Sequence, residues 1–308
     1  MVNRTASTRL IGAGIGLLID RALGEPPTPL HPVAWFGTLM GRVEKQTYAD
    51  RRTAGTVYAA CGTLVGIAAG YALRSTAAAV AVAASGRMLR GTARDISQLL
   101  LGGDLDGARE ALPALVGREP SMLEESAIAA AVIESLAENT VDAVIAPALW
   151  GAAFGACGAG AHRAINTMDA MVGHRSTRYG RFGTAAARLD DAAAYVPARV
   201  TLCLLCLCRP RQARTIVSVV RRDAPAHPSP NAGVTEAAFA AALGVELGGT
   251  LRYGERIEDR PSLGDGPRPN VGDIERAIRL ADRVELAAVA LLGGLGLLAC
   301  ALAKRSDS

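Results

Sequence analysis

Three acidic residues in the middle of the chain have the spacing of one helical face. Glu134, Glu138 and Asp142 follow one another at intervals of four residues, and Asn139 adds an amide beside them. Residues three or four apart are neighbours on an α-helix, and like charges placed there repel each other. The row therefore indicates either a site for a cation or for proton transfer, or simply a solvated helix end.

A second polar segment covers residues 162–199 and mixes aspartates with arginines. Carboxylates hold magnesium and arginines clamp phosphate oxygens, so the mixture is typical of a metal–phosphate site. A salt-bridged surface has the same composition and is the alternative. The candidate magnesium ligands are Asp169, Asp190 and Asp191. The candidate substrate or phosphate contacts are Asn166, Arg175, Arg178, Arg188 and Arg199, together with Asn139 from the acidic row, and His174 is a candidate for proton transfer.

Two proline-rich loops hold further polar side chains. His31 lies in the first loop, where prolines exclude a continuous helix. Ser229 and Asn231 lie in the second loop, before an apolar helix that the pattern predicts at 235–247. Free backbone N–H groups at a helix start suit an anion, and simple capping of the helix is the alternative. We interpret all three side chains as candidate substrate contacts.

The composition indicates a membrane protein rather than a soluble enzyme or a nucleic-acid-binding protein. Half of the 308 residues are hydrophobic, only 4% are aromatic, and the net charge is +4. Arginine supplies nearly all of the positive charge, but no long basic run occurs and aromatic residues do not alternate with basic ones. We therefore expect no nucleic-acid partner.

Three segments approach the length of about 20 apolar residues that a membrane span requires. They are residues 53–73, 143–161 and 286–303, while 10–19 and 192–208 are marginal. The pattern predicts an all-α, polytopic helical membrane protein with a single domain over residues 1–308. Buried core helices of a large soluble all-α protein are the alternative.

The order of these segments constrains the site. If only the three segments crossed the membrane, the acidic row and the 166–191 cluster would lie on opposite faces. We therefore predict that residues 143–161 re-enter the membrane or are buried by other helices, with Pro147 breaking the run. Charged loops and helix ends would then converge on one polar site.

Seven motifs resemble those of one known family, in the same order from about residue 10 to the C-terminus. They are D-R-A-L-G-E-P at 20, H-P-V at 31, E-S-L-A-E-N-T-V-D at 134, N-T-M-D-A-M-V-G-H-R at 166, F-G-T-A-A-A-R-L-D-D at 182, Y-V-P-A-R at 195 and S-P-N-A-G at 229. The chain thus resembles the CobD/CbiB family. It departs at His174, where an aromatic residue is more usual, and at Val234-Thr235, where an aromatic–proline pair is expected. These departures affect only local substrate contacts.

The resemblance implies a multi-pass enzyme of the cell membrane whose active site faces the cytoplasm. It implies ATP- and magnesium-dependent formation of an amide between adenosylcobyric acid and (R)-1-aminopropan-2-ol or its O-phosphate, which gives adenosylcobinamide or its phosphate. Membrane lipid and other late enzymes of cobalamin synthesis are the further partners to expect.

This chemistry needs magnesium ligands, phosphate clamps and a base for the ammonium group. The catalytic candidates are Glu134, Glu138, Asp142, His174 and Asp191, and His31 and His227 are further candidate proton carriers. The sequence contains no G-x-x-x-x-G-K-[ST], so ATP binding would be non-standard. A non-catalytic membrane regulator or scaffold on a related fold is one alternative. A transporter is another, but it predicts charges inside the spans rather than beside them.

Overall fold

The computed structural model describes residues 2–117, 120–174, 176–253 and 256–306. The protein is 79% helical with almost no sheet, which confirms the all-α class. The α-helices are α1 (Val2–Leu23), α2 (Pro32–Thr47), α3 (Arg52–Leu73), α4 (Thr76–Ala83), α5 (Gly86–Leu101), α6 (Leu105–Ala111), α7 (Glu125–Thr140), α8 (Ala146–Phe154), α9 (Ala156–Met168), α10 (Thr184–Cys208), α11 (Ala213–Asp223), α12 (Ala232–Leu243) and α13 (Val271–Ser306). Within these described ranges, three 3₁₀ turns (Thr28–Leu30, Leu112–Ala114 and Ala224–Ala226) and two π-helical segments (Val141–Ile145 and Asp169–Gly173) lie between the α-helices.

An antiparallel hairpin lies within residues 247–263, in a part of the chain rich in glycine and charged residues. Its strands are β1 (Leu247–Tyr253) and β2 (Arg256–Leu263), and Thr250 pairs with Asp259. A register shift lies between Leu247 and Gly249. Glycines and charged residues in this segment resemble turn chemistry, and the alternation of strand residues is too weak to predict pairing.

The chain divides into two compact units, each built from separate segments. The first unit contains Met1–Arg87, Asp142–Pro197 and Ala288–Ser308. The second unit contains Met88–Val141 and Ala198–Ala287. The single domain over 1–308 stays a prediction.

In the first unit, small residues let α3 and α9 pack closely together. A Cβ atom on Gly66 would lie 2.5 Å from the carbonyl oxygen of Gly160 and 2.5 Å from the Cβ of Ala164. Only glycine permits this close approach. Small residues are common at contacts between apolar helices in membranes, where no hydrophobic driving force acts between the helices. Met40, Tyr58, Met168 and Phe182 form an adjoining buried cluster.

In the second unit, α7 and α12 pack against each other and against the hairpin. Every residue from Ile128 to Ala137 is buried, and so is every residue from Ala232 to Ala240. A helix that is apolar on all sides belongs in a core. The glutamates of these two helices are therefore held in fixed positions by the apolar residues around them.

Within the described residues, three helices are long and apolar enough to cross a membrane: α3, α10 and α13. Two predicted segments are confirmed as parts of α3 and α13. The marginal segment 192–208 also qualifies, because it continues a longer helix that holds Pro197 in its interior. The exposed side chains of Val57, Leu64 and Leu298 give α3 and α13 apolar outer surfaces, as lipid contact requires.

The segment 143–161 is not one span. It breaks at Gly155, whose φ of 70° separates α8 from α9. Pro147, the predicted break, lies in the first turn of α8, where a missing N–H costs no hydrogen bond. Ala146, Pro147 and Ala148 are buried, which agrees with the predicted burial of this run.

We expect Gly66→Ala to destabilise the protein by about 1–3 kcal/mol, because the added methyl group overpacks the contact between α3 and α9. Gly37→Ala on α2 is the matched control, since nothing lies within 4 Å of its added Cβ atom. Helix propensity should make that control neutral or stabilising by up to about 1 kcal/mol. Thermal unfolding in detergent measures both, and equal melting temperatures would contradict the packing argument.

Candidate functional site

The structure divides the predicted site residues between the two units. The first unit holds His31, Asp142, Asn166, Asp169, His174, Arg178, Arg188, Asp190 and Asp191. The second unit holds Glu134, Glu138, Asn139, Arg199, Ser229 and Asn231. Arg175 lies outside the described residues. The convergence of all these residues on one site stays a prediction.

A polar cavity of about 230 Å³ lies in the second unit, and we name it the carboxylate cavity. Glu134, Glu138 and Glu236 contribute carboxylates to its wall, and Arg260 contributes a guanidinium group. The remaining lining residues are Leu115, Val116, Gly117 and Ser135. The sequence alone does not indicate Glu236 and Arg260, because they lie far along the chain from Glu134 and Glu138 and no periodic spacing connects them.

The hairpin holds Glu134 in place. The side chain is 3% exposed, and its Oε1 accepts a hydrogen bond of 2.8 Å from the backbone N–H of Gly248. A buried carboxylate requires such a donor. Gly248 has a φ of 72°, which favours glycine, so the first residues of β1 have the backbone needed to present this N–H group. Glu138 lies one turn later on α7 and is exposed.

His227 and Glu236 form a buried pair beside the cavity. His227 Nε2 lies 3.6 Å from Glu236 Oε2, and the two side chains are 5% and 4% exposed. The Ser229 N–H donates to His227 Nδ1 at 3.1 Å. Burial is the largest influence on the pKa of His227 and lowers it. The charge of Arg260 also lowers this pKa, whereas Ser229 and Glu134 raise it. The ring is therefore neutral at pH 7.

The loop before α12 caps that helix. Ser229 Oγ accepts hydrogen bonds from the N–H groups of Asn231 at 3.3 Å and Ala232 at 3.2 Å. Arg199 Nη1 donates to Asn231 Oδ1 at 2.7 Å, and its Nη2 donates to the carbonyl of Pro230 at 3.1 Å. These contacts hold the loop, and substrate binding by its residues stays a prediction. Asn139 donates to the Ser135 carbonyl at 3.0 Å within α7.

In the first unit, Asn166 and Asp190 join α9 to α10 through an Nδ2–Oδ1 hydrogen bond of 3.3 Å. Asp191 follows and is half-buried, while Asp169 lies against Gly173. Among the residues that the structure describes, no three His, Cys, Asp or Glu side chains are grouped so that they can hold a metal ion. Binding of magnesium by Asp169, Asp190 and Asp191 stays a prediction.

Glu44, which the sequence reasoning missed, binds the exposed arginine of this region. Its Oε1 accepts from Arg178 Nη2 at 3.0 Å and from the Tyr179 hydroxyl at 2.8 Å. The Arg178 guanidinium also lies 4.3 Å from the centroid of the Tyr48 ring, and His174 packs edge-on against Tyr179 at 5.0 Å. The hydrogen bond to Glu44 raises the pKa of Arg178.

Arg188, the other predicted clamp of this unit, is exposed on α10. It lines a cleft of about 350 Å³ together with Arg52 and Thr56 of α3.

Two of the sequence motifs supply carboxylates that act on Arg163 in the first unit. Burial is the largest influence on the pKa of Arg163 and lowers it. The opposite effect, which raises this pKa, comes from Glu25, Asp142 and Asp20. Arg163 Nη2 donates to Ser85 Oγ at 3.4 Å. We call Arg163 and these three carboxylates the arginine centre. One feature of the sequence indicates this centre, because Arg163 is a cation that follows a long uncharged run.

His31 belongs beside the arginine centre. Its Nε2 lies 2.9 Å from Glu25 Oε2, and its Nδ1 accepts the Val33 N–H at 3.1 Å, which caps α2. The rigid H-P-V motif thus orients a carboxylate through the histidine. The predicted substrate contact at His31 stays a prediction, but its structural partner is Glu25.

Asp142 and Asp169 occupy similar local settings. Both follow Asn-Thr and a hydrophobic residue, in N-T-V-D-A and N-T-M-D-A. The first motif enters the π-helical segment Val141–Ile145, and the second enters Asp169–Gly173. Single π turns within helices are frequent at functional sites. This short repeat was missed in the sequence.

Comparisons with known proteins agree with these motifs. Residues 13–281 match the model of the CobD/Cbib protein family. The chain belongs to the CobD/CbiB family. It is 46% identical to cobalamin biosynthesis protein CobD of Mycobacterium tuberculosis, over 94% of this chain and 97% of that protein. It is 39% identical to the protein of the same name from Rhodobacter capsulatus, over 91% and 95% of the two chains. No solved structure matches this CobD/CbiB chain.

His162 precedes Arg163 on α9 and is 1% exposed. Within the described part of the chain, neither of its ring nitrogens has a hydrogen-bond partner. Burial, with a smaller effect from Arg163, lowers its pKa from 6.5 to about 3. The unfolded chain therefore takes up a proton below pH 6.5 while the folded protein does not, and stability falls as the pH falls.

We expect the free energy of unfolding to be about 2 kcal/mol lower at pH 5 than above pH 6.5 from His162 alone. His162→Leu should remove this part of the pH dependence, whereas His174→Leu, at an exposed position, should retain it. Chemical denaturation in detergent at pH 7.5 and pH 5 measures both variants. The same pH dependence in His162→Leu and the wild type would show that this buried ring does not control it.

Proposed function

We propose that the protein is an ATP-dependent amide synthase of cobalamin biosynthesis. It joins (R)-1-aminopropan-2-ol, or its O-phosphate, to the propionate of adenosylcobyric acid and gives adenosylcobinamide or its phosphate. Membership of the CobD/CbiB family and the names of the relatives support the role in cobalamin biosynthesis. The carboxylate cavity supports the finer assignment.

The carboxylate cavity carries the proposal because its charge and size suit a small ammonium compound. Three glutamates face one arginine, and His227 beside them is neutral. Two of the carboxylates, those of Glu134 and Glu236, are buried. An excess of buried negative charge is costly unless a cation shares the site. At about 230 Å³ the cavity is smaller than the usual pocket for a drug-sized ligand, so it fits a three-carbon amine.

The ammonium group must lose a proton before its nitrogen can attack. The pair of His227 and Glu236 is the proposed acceptor, because it lies beside the cavity and away from solvent. A general base must come within hydrogen-bond reach of the proton it removes. An amine whose nitrogen lies within hydrogen-bond reach of these side chains from the cavity meets this condition.

The carboxylate of the other substrate must be activated. Transfer of the terminal phosphoryl group of ATP to a propionate oxygen gives an acyl phosphate and ADP. The amine nitrogen then forms a bond to the carbonyl carbon, the bond from that carbon to the phosphate oxygen breaks, and phosphate leaves. Magnesium, when bound, neutralises charge on phosphate oxygens. Glu134 and Glu138, one turn apart on α7, fit that ion as partial ligands, and Asp169, Asp190 and Asp191 are the alternatives from the first unit.

We further propose a multi-pass location in the cell membrane with the active site facing the cytoplasm, where ATP is available. The basic Lys304 and Arg305 at the end of α13 support a cytoplasmic C-terminus. Other late enzymes of cobalamin synthesis are the proposed protein partners.

The direct test uses the purified full-length protein in lipid nanodiscs with adenosylcobyric acid, the amine or its phosphate, ATP and magnesium. We expect an amide product by mass spectrometry, with one ADP released for each amide bond. Omission of ATP should abolish the product. Folded protein that forms no amide from either amine would contradict the proposed reaction.

We expect Glu236→Gln to lower kcat/KM by about 100-fold or more, because the proton acceptor and a buried charge are both lost. Glu138→Gln should mainly raise the KM for the amine, since this exposed carboxylate stays outside the buried pair. Glu125→Gln is the matched control on α7, because Glu125 is exposed and does not line the cavity. Steady-state kinetics at several amine concentrations separate the effects. Normal kinetics in Glu236→Gln would remove the pair from the mechanism.

A further inference from the structure

The first unit contains a mainly apolar groove of about 350 Å³ between α2, α3, α4 and α9. Its walls come from the start of α2, the last two turns of α3, the end of α4 and one face of α9. Among the residues that line it, Arg163 and Thr167 carry the hydrophilic side chains. The apolar lining calls for a ligand whose body is largely hydrocarbon.

Arg163 places an unused donor at this groove. Its Nη2 donates to Ser85 Oγ, but its Nε is buried and has no acceptor within the described residues. A buried N–H group without an acceptor is unfavourable, and the oxygen of a ligand would satisfy it. A phosphate suits this guanidinium because the resulting hydrogen bonds are charge-assisted.

Glu25, which does not itself line the groove, supplies the complementary group beside Pro32 and Val33, because its partner His31 directly precedes these two lining residues. Its Oε2 pairs with His31 Nε2, while its Oε1 is buried and has no donor within the described residues. Glu25 has the largest effect of the three carboxylates that act on Arg163. A purely anionic ligand would leave the buried Glu25 Oε1 without a donor. A ligand that carries an ammonium group as well as a phosphate matches both unused atoms.

The position of the groove on α3 points to the membrane as the source of this ligand. The wall residues of α3 run from Gly66 to Leu73, at the end of a helix long enough to cross a membrane. Tyr71, 71% exposed, and Arg74 mark this end, and such residues are typical of the level of lipid headgroups. A headgroup and the start of an acyl chain meet at that level.

We propose that the groove binds a membrane phospholipid with a primary-amine headgroup, of the phosphatidylethanolamine class. One acyl chain lies along the apolar walls, the phosphate accepts from Arg163 Nε, and the ammonium group donates to Glu25 Oε1. This lipid site does not depend on the proposed amide synthesis, whose amine is placed in the carboxylate cavity.

The test is native mass spectrometry of the full-length protein after exchange into vesicles containing equal amounts of phosphatidylethanolamine, phosphatidylcholine and phosphatidylglycerol with the same acyl chains. We expect the wild type to retain phosphatidylethanolamine at least about tenfold more than either other lipid. Glu25→Gln should abolish this preference, because the variant keeps the shape of the side chain and loses its charge.

Ala69→Phe tests the groove itself, since Ala69 is exposed and lines it. The variant should lose all three lipids, whereas Ala68→Phe, at the neighbouring exposed position outside the groove, should retain them. Circular dichroism confirms that both variants fold. Equal retention of the three lipids by the wild type, or equal retention by the two phenylalanine variants, would overturn the proposal.

A soluble competitor separates the lipid from the proposed amine substrate. The phosphate ester of 1-aminopropan-2-ol carries the same two charged groups without a chain. We expect it to leave the retained lipid in place at millimolar concentration. Two results together would reject the lipid and assign the centre to a soluble phosphoamine. They are binding of this ester that is lost in Glu25→Gln, and no retention of lipid by the wild type.

Discussion

A charge that is buried among apolar helices must find its counter-charge or its hydrogen bonds inside the protein. Each unit meets this constraint around a small number of side chains. In the first unit, Arg163 lies within the influence of Glu25, Asp142 and Asp20. In the second, Glu134 depends on the backbone N–H of Gly248. The helices that carry Arg163 and Glu134 consist mainly of small or apolar residues, so most of the side chains around either group are apolar.

The motifs that reveal the family are therefore also structural motifs. D-R-A-L-G-E-P and H-P-V place the carboxylates and the histidine of the arginine centre, and S-P-N-A-G caps α12 while it orients His227. We therefore expect a substitution in these motifs to affect folding as well as any role that they have in function. Kinetic comparisons between variants are informative only when stability is measured beside them.

The sequence predicted those features that depend on local pattern. Runs of apolar residues identified α3 and the second half of α13, and the four-residue spacing placed Glu134 and Glu138 on one face. The sequence did not predict the break at Gly155. One continuous helix that contains Pro147 and two helices separated at a glycine have almost the same composition, so composition does not distinguish them. The sequence also indicated only a marginal span in the C-terminal part of α10, since Pro197 and Arg199 reduce the apolar count of a helix that is in fact 25 residues long.

The partners of the site residues were harder to predict. Glu236, Arg260 and Glu44 come close to predicted residues only through tertiary packing, and no spacing along the chain indicates it. The clamp predicted at Arg178 stays a prediction, and its contacts with the Glu44 carboxylate and the Tyr48 ring could not be read from the residue type alone. Local patterns indicate which chemistry a residue can perform. Tertiary contacts determine whether the residue is available for that chemistry.

The π-helical segment Asp169–Gly173 adds one residue to a turn that an α-helix completes without it. Removal of one residue there restores regular α-helical geometry with little loss of backbone hydrogen bonding. Because the wider turn accommodates the extra residue, the residues on either side of it keep nearly the orientation that a continuous α-helix would give them. Val172 lies in this turn, is buried in the core cluster and has its carbonyl against Gly183, so the packing around the turn holds the extra residue. The segment can therefore lose one residue without redirecting the chain that leaves α9, and the loss falls on the contacts inside the turn.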